Sequence, residues 1–252
     1  MIDISSKKII IFDLDDTLAA SKSVIEEEMS DLISGLLTKK KIAVIGGGSW
    51  KQFNEQLLGH LQCREDLLSN LYLFPTTATR FYRCHNGIWV EVYSDVLRPD
   101  ERERIKLSFK KAFEESGYVQ PEKVYGDIIE DRGTQITFSA LGQKAPVFEK
   151  EKWKLENESL RQKIASIMRD LIPEFEVRTG GLTSVDITKK GINKAYGVRQ
   201  IEKLLKIPIN EMVFIGDALY PGGNDHAVIE TGIETIAVKG PEDTKKVIIG
   251  WL

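Results

Sequence analysis

The chain has 252 residues, 42% hydrophobic and 29% charged, with a formal net charge of −3. That composition excludes a disordered chain, a collagen-like repeat and a disulfide scaffold, and the length suits one large domain or a core carrying an inserted module. There is no whole-chain basic excess, so nucleic acid is not an expected partner, and no apolar stretch approaches the roughly 20 residues of a membrane span.

Met1 to Lys8 is polar and leads directly into a short apolar run, unlike a secretory signal. Ile9–Phe12, β-branched and stopping at Asp13, predicts a buried parallel strand whose carboxyl end opens toward a site. Val24, Met29, Leu32, Ile33, Leu36 and Leu37 recur at helical spacing. Residues 42–45 predict a second strand, ended by Gly46-Gly47-Gly48-Ser49. Strand, helix, strand implies a right-handed parallel crossover. A helix over residues 50–61 puts the phosphate-sized gap at 46–49 against a helix N-terminus. From about Asn86 to Asp186 the grammar changes. Strands at 87–93, 135–140 and 184–187 mix irregularly with charged helices at 98–116 and 152–172, the pattern of an α+β module inserted into an α/β one. Beyond it come a helix at Lys194–Leu205, a strand at 212–215, a helix at 225–231, a strand at 235–238 and a helix at Pro241–Ile249 with an acidic first turn. Cys63 and Cys84 lack metal-ligand spacing and read as reduced thiols, so a cytoplasmic location is expected.

Asp13-Leu14-Asp15-Asp16-Thr17 crowds three carboxylates behind the first strand. Acids packed this way repel one another unless a cation neutralises them, and magnesium suits an all-oxygen set. The i, i+2 spacing suits Asp13 as nucleophile and Asp15 as general acid and later base. Asp217, at the end of another apolar strand, can complete an octahedral oxygen site with Asp13, while Asn224 and Asp225 orient water ligands or neighbouring side chains. Lys194 can offset the charge of an attacking carboxylate and an incoming phosphoryl group. The triple glycine lacks the G-x-G-x-x-G spacing, which argues against a dinucleotide binder. His60 and His85 are expected to be surface or packing residues and His226 to cap or pack, Trp89, Trp153 and Trp251 to anchor cores or interfaces, and Arg178, near the Gly180-Gly181 turn, to form an ordinary surface salt bridge, with a place facing the cleft beside the inserted module as the alternative.

In this order the motifs resemble the haloacid dehalogenase (HAD) superfamily of aspartyl-phosphate phosphotransferases: Asp13 to Thr17, Gly48-Ser49, Lys194, and Gly216-Asp217 to Asn224-Asp225. The resemblance covers almost the whole chain. Within that superfamily the sequence is most similar to the eukaryotic-type phosphomannomutases, on Gly47-Gly48-Ser49 before Asn54-Glu55-Gln56-Leu57, Asn86-Gly87, the segment from Pro221 to His226, and Pro241-Glu242-Asp243-Thr244. The resemblance implies an α/β, Rossmann-like core over residues 1–85 and 188–252 with an inserted α+β cap of type IIB over 86–187, hinged near 84–87 and 188–192.

It further implies Mg2+-dependent phosphoryl transfer on a phosphorylated sugar. Asp13 is expected to be phosphorylated and Asp15 to donate the proton. The metal set is Asp13, the carbonyl of Asp15, and Asp217, with Asn224 and Asp225 beside it. Thr17, Lys22, Gly48 and Ser49 are the candidate phosphate contacts in the core. In the cap, Arg132 falls where the family has an arginine on the distal phosphate, and Ser184 and Asp186 match its Ser-x-Asp pair. Lys22, Gln143 and Lys150 stand where arginines are expected, Asp16 where glycine is usual, and Thr231 where a further cation-binding loop has aspartate. Lysine supplies a point charge and glutamine none, so grip on a distal phosphate is expected to be weaker. Two readings follow: a mutase interconverting mannose 1-phosphate and mannose 6-phosphate, and a sugar-phosphate phosphatase. A non-catalytic phosphosugar sensor would be expected to lack Asp13 or Asp15. The resemblance also implies a homodimer through the cap, while composition and charge argue against membrane or nucleic acid as a partner.

Overall fold

The β1 strand (Ile9–Phe12) is fully buried, because strands lie on both sides of it and apolar layers on both of its faces. It pairs in parallel with β2 (Lys41–Ile45) and with β10 (Met212–Gly216), the chain's later return to the sheet. The computed structural model describes residues 3–252; Met1 and Ile2, part of the polar N-terminal stretch, lie outside the described residues. β3 (Leu71–Phe74) extends the parallel array beyond β2, and β11 (Glu234–Ala237) extends it beyond β10. β4 (Arg80–His85) and β5 (Ile88–Ser94) add an antiparallel edge, giving seven strands in the order β11-β10-β1-β2-β3-β4-β5.

Period-two alternation along these strands feeds two apolar layers. Ile10, Phe12, Ile42, Val44, Leu71 and Leu73 pack with Met29, Ile33 and Leu36 of α1 (Glu27–Leu37) and Ile248 of α7 (Pro241–Ile249). Ile9, Ile11, Ala43, Ile45 and Phe74 pack with Val198 and Ile201 of α6 (Lys194–Leu205). The carboxyl ends of β1, β2 and β10 therefore open side by side where the chain order reverses about β1, the usual ligand position in an open α/β sheet.

The chain forms two compact units, Met1–Ser94 with Asn193–Leu252, and Asp95–Ile192. The strand expected in the inserted module at 87–93 instead belongs to the first unit's sheet, because β4, which the sequence did not announce, takes it as a hairpin partner. Asn86 and Gly87, expected near a hinge, form the two-residue turn of that hairpin, both with positive φ. The alternation of Ile88, Val90 and Val92 is real but faces outward; Trp89 and Tyr93 are the side chains that pack on the cores.

The helix expected over 50–61 is a short α2 (Trp50–Phe53) continued by a π turn, Asn54–Leu58, and the one expected at 225–231 is a 3-10 turn, His226–Thr231. After β3 comes α3 (Pro75–Ala78), a turn in which Thr76, Thr77 and Ala78 are all left-handed.

In the second unit, β6 (Ile129–Asp131), β7 (Ile136–Ser139), β8 (Phe175–Gly180) and β9 (Ser184–Lys189) form an antiparallel sheet in the order β6-β7-β9-β8. One face, with Ile136, Phe138, Val177, Val185 and Ile187, packs against Ile105, Phe109, Ile164 and Met168 of α4 (Pro99–Ser116) and α5 (Val147–Leu171). The other face is polar. Among the described residues no helix is long and apolar enough to cross a membrane.

Candidate active site

Asp13 follows β1 directly and its amide continues the ladder, donating to Ile215 O at 3.0 Å. That bond fixes the direction in which the chain leaves the sheet, and the Asp13 side chain stays almost fully buried. Lys194, the first residue of α6, reaches Asp13 Oδ1 at 2.6 Å and also contacts Asp225 Oδ1. The start of α6 is set by Asn193, whose Oδ1 accepts from the Tyr196 amide at 2.8 Å. Asp225 is fully buried and its Oδ2 accepts from the Ala218 amide at 3.0 Å, tying the loop after β10 into a closed turn. A side chain at Gly216 would collide with the Asp225 carboxylate at 2.3 Å, so glycine is required there for close approach.

One carboxylate oxygen each from Asp13, Asp217 and Asp225 lie within 4.8 Å of one another. Burial, aided by Asp225 and Asp217, pushes Asp13 well above the usual carboxylate range against the pull of Lys194. Burial and Asp225, with Asp16 adding, raise Asp217 to about 6. Burial disfavours the charge on Lys194, yet Asp13 and Asp225 outweigh it and hold the ammonium above its usual value. Three acids facing one ammonium leave an excess of negative charge, and the donors are all hard oxygens. Two buried oxygens in the loops that carry these acids, Thr17 Oγ1 and Asn224 Oδ1, take no hydrogen-bond partner from the protein. The residues present therefore fit a divalent cation and an oxyanion.

The next two acids of the loop after β1 take other hydrogen-bond partners. Asp15 Oδ1 accepts from the Lys22 amide at 2.6 Å and from Gln56 Nε2 at 3.4 Å, so its carboxylate is not among the three that converge; the carbonyl is the atom it was expected to lend a metal. Gln56, part of a stretch that carries the family resemblance, had no expected site role, since a glutamine in an amphipathic helix carries no chemical signal of its own. Asp16 has φ of 59°, which explains why glycine is natural there. Aspartate tolerates the left-handed conformation, and its Oδ1 accepts from the Ser21 amide at 3.0 Å. Leu14 O collects the amides of Leu18 and Ala19, which closes the loop back on the strand.

At the end of β2, Ser49 caps α2 reciprocally with Gln52: its amide donates to Gln52 Oε1 at 2.7 Å and its hydroxyl accepts from the Gln52 amide at 3.4 Å. The left-handed turn at Thr76–Ala78 braces this loop, Thr76 N–H donating to Gly48 O and Thr77 N–H to Gly46 O. β-branched residues adopt positive φ rarely, and strain of this kind gathers at functional sites. Pro-Thr-Thr-Ala gave no sequence signal for it. His226 acts as expected, Nδ1 bonding with Leu219 O at 3.0 Å.

In the second unit, Arg132 is held by Glu130 through Nε at 2.9 Å and Nη2 at 2.7 Å. Asp186 Oδ1 accepts from Thr137 Oγ1 at 2.7 Å, and Thr137 accepts from Gln135 Nε2 at 2.8 Å. Ser184 lies on the same sheet face, across from Ser139. Lys150 is buried, with Nζ donating to Gln143 O at 2.8 Å. Arg132, Ser184 and Asp186 thus share one polar face, with Lys150 and Gln143 bonded to each other.

Among solved structures, an N-terminally truncated IMP-nucleotidase of Plasmodium falciparum superposes with a TM-score of 0.73 at 18% identity, covering 98% of this chain and 70% of that one. The C-terminal domain of Candida albicans trehalose-6-phosphate phosphatase gives 0.66 at 15% identity, covering 98% and 94%. These likenesses establish the fold. A phosphomannomutase of Encephalitozoon cuniculi is 29% identical over 249 residues, spanning 94% of this chain and 91% of its own. That of Saccharomyces cerevisiae is 23% identical over 245 residues, spanning 95% and 92%. A family profile described as eukaryotic phosphomannomutase matches residues 29–251. On that match the chain belongs to the eukaryotic phosphomannomutase family of the haloacid dehalogenase superfamily, and is an enzyme of that family.

Proposed function

We propose that this enzyme interconverts mannose 1-phosphate and mannose 6-phosphate by magnesium-dependent phosphoryl transfer through an aspartyl-phosphate on Asp13. What supports it most is the gathering of Asp13, Lys194, Asp217 and Asp225 at the ends of adjacent strands, in a chain of this family. Asp13, Asp217 and the Asp15 carbonyl would hold Mg2+, with Asn224 and Asp225 orienting its surroundings. Bound there, the ion supplies neutralisation of the transferring phosphoryl group.

Asp13 attacks phosphorus as the carboxylate, and the P–O bond to the sugar breaks. Asp15 gives its proton to the leaving oxygen, then removes one from the hydroxyl that takes the phosphoryl group back. Lys194 pulls Asp13 toward its ionised form against the effect of burial, an ionisation that a bound cation would complete, and offsets developing charge. Thr17, Lys22, Gly48 and Ser49 surround the phosphoryl oxygens. The first unit is the catalytic core and the second the substrate-recognition cap, in which Arg132, Ser184, Asp186, Gln143 and Lys150 face the sugar and its distal phosphate.

A second reading, a sugar-phosphate phosphatase, draws on one observation: Gln143 is neutral and the Lys150 ammonium is engaged with the Gln143 carbonyl. A mutase must grip either end of its bisphosphate intermediate, whereas a phosphatase passes the phosphoryl group to water. Incubation with Mg2+, mannose 1-phosphate and a trace of hexose 1,6-bisphosphate separates them. Mannose 6-phosphate without phosphate release is the expected product. Free phosphate would move the assignment to hydrolysis, and turnover to neither would end both.

A further inference from the structure

Alternation along the strands of the second unit sorts its side chains cleanly. Phe175 and Val177 of β8, Val185 and Ile187 of β9, and Ile136 and Phe138 of β7 lie in the apolar core. Their neighbours Glu176, Arg178, Ser184, Asp186 and Thr137 therefore occupy the opposite face. The register places four of the face's residues in one transverse row: Glu130 opposite Thr137, Thr137 opposite Asp186, and Asp186 opposite Arg178. With strands about 4.8 Å apart, the ends of that row are roughly 14 Å from each other.

The two edges of the row repeat one arrangement. Arg132 is held by Glu130, two residues before it, and Arg178 by Glu176, two residues before it, Nη2 to Oε1 at 3.1 Å. Glu176 is itself fixed, its Oε2 accepting from the Gly191 amide at 3.1 Å. Between the arginines, Asp186 is oriented by Thr137, and its other oxygen lies where a Cβ at Gly180 would come within 2.6 Å.

We propose that Arg178 is a second anion-recognition residue of this unit, binding a phosphate oxygen at the non-reacting end of a doubly phosphorylated hexose from the strand edge opposite Arg132. The inference rests on the hexose-phosphate reading given above and adds a residue to it. Glu176 holds Arg178 Nη2, on the same edge as the buried Nε, and Nη1 takes no hydrogen bond from the described residues, so the Nη1–Nη2 end of the guanidinium is the part left for a ligand. The side chain is 30% exposed, enough for a ligand to reach it. Arg161 serves as a contrast. Its Nε is also without a partner, but at 6% exposure both Nη1 and Nη2 are spent, on Gly180 O, Gly181 O and Glu158, which makes it a brace for the β8–β9 turn. The Nη1–Nη2 end of a planar guanidinium is matched to two oxygens of one phosphate, which an ammonium cannot reproduce.

Calorimetric titration of the Mg2+-loaded full chain tests this, with hexose 1,6-bisphosphate and inorganic phosphate as separate probes. Arg178→Ala is expected to weaken bisphosphate binding about tenfold or more while leaving inorganic phosphate unchanged. Arg178→Lys keeps charge and fold and is expected to recover only part of the loss. Unchanged bisphosphate binding in Arg178→Ala, with Arg132→Ala impaired, would overturn the role of Arg178 and leave the phosphosugar reading standing. A wild-type chain that binds no bisphosphate, or is indifferent to both substitutions, would overturn both. Equal loss for the two probes would make Arg178 a structural residue and also end the proposal.

Discussion

At the end of β1, burial and mutual repulsion work against charge on Asp13 and Asp217, and that sets a pH signature for the metal-free protein. The Asp217 carboxyl is raised from 3.8 to about 6, so between those values the folded chain binds more protons than the unfolded one. Stability from this group is therefore present below about pH 4 and lost as pH rises through 6, the reverse of an ion-paired carboxylate. A divalent cation changes the sign, because it binds the deprotonated acids of the native state and adds stability by mass action. The rise in Tm on adding Mg2+ is expected to be larger at pH 7.5 than at pH 5. Asp217→Asn should lose most of that response while narrowing the gap between the metal-free Tm values at the two pH values. Calorimetric scans of both chains, with and without chelator, check this; an Asn variant with the wild-type Mg2+ response would exclude Asp217 from the site. Much of this centre was legible in sequence, since Asp13, Lys194, Asp217 and Asp225 each follow an unmistakable apolar strand or begin a helix. The direction in which Asp15 turns was not, because it depends on the Lys22 amide, held by a left-handed residue that nothing in the local sequence marks.

Elements buried on both faces announce themselves, as β1, β2 and β10 do with continuous apolar runs, whereas edge strands and short turns do not. β4 mixes Arg80, Arg83 and His85 with buried Phe81, Tyr82 and Cys84 in no regular alternation, and without it β5 had no partner to keep it on the core sheet. The three-residue left-handed turn at Thr76–Ala78 is a tertiary outcome, fixed by Gly46 O, Gly48 O and close packing rather than by propensity. Packing there makes a specific demand on α6. A Cβ at Gly197 would meet Ile45 Cδ1 at 2.8 Å and Ala78 Cβ at 3.0 Å. Alanine gains about 1 kcal/mol of helix propensity over glycine, but overpacking a close-fitted contact costs about 1–3 kcal/mol. The second effect should win. Gly197→Ala is expected to lower Tm by about 2–4 °C, and to reduce kcat by displacing Lys194, three residues earlier on the same helix. A thermal melt and a steady-state assay decide it, and a stabilised, fully active variant would show that helix and sheet separate without consequence.

In the proposed function chemistry and recognition divide along the two units: the acids of the buried cluster, and Lys194, belong to the first, while Arg132, Ser184 and Asp186 belong to the second. Each unit has its own apolar core, so the structural division is independent of the proposed functional one. If the proposed roles hold, substitutions in the two units must have different kinetic signatures. Replacing the nucleophile removes an interaction common to every substrate, so Asp13→Asn should lower kcat by at least about a thousandfold for a hexose phosphate and for a small aryl phosphate alike. Arg132 can only read a part of the substrate that an aryl phosphate does not possess. Arg132→Ala should therefore raise KM for the hexose bisphosphate or monophosphate about tenfold or more and leave aryl phosphate turnover within about twofold of wild type. Glu130, which holds Arg132 by two hydrogen bonds, provides an internal comparison: Glu130→Gln keeps the length of the tether but not its charge, and should produce a smaller effect of the same pattern. Parallel steady-state measurements on both substrates decide the matter. Equal losses on the two substrates for Arg132→Ala would mean that the second unit supports the fold or the chemistry generally and does not read the sugar phosphate.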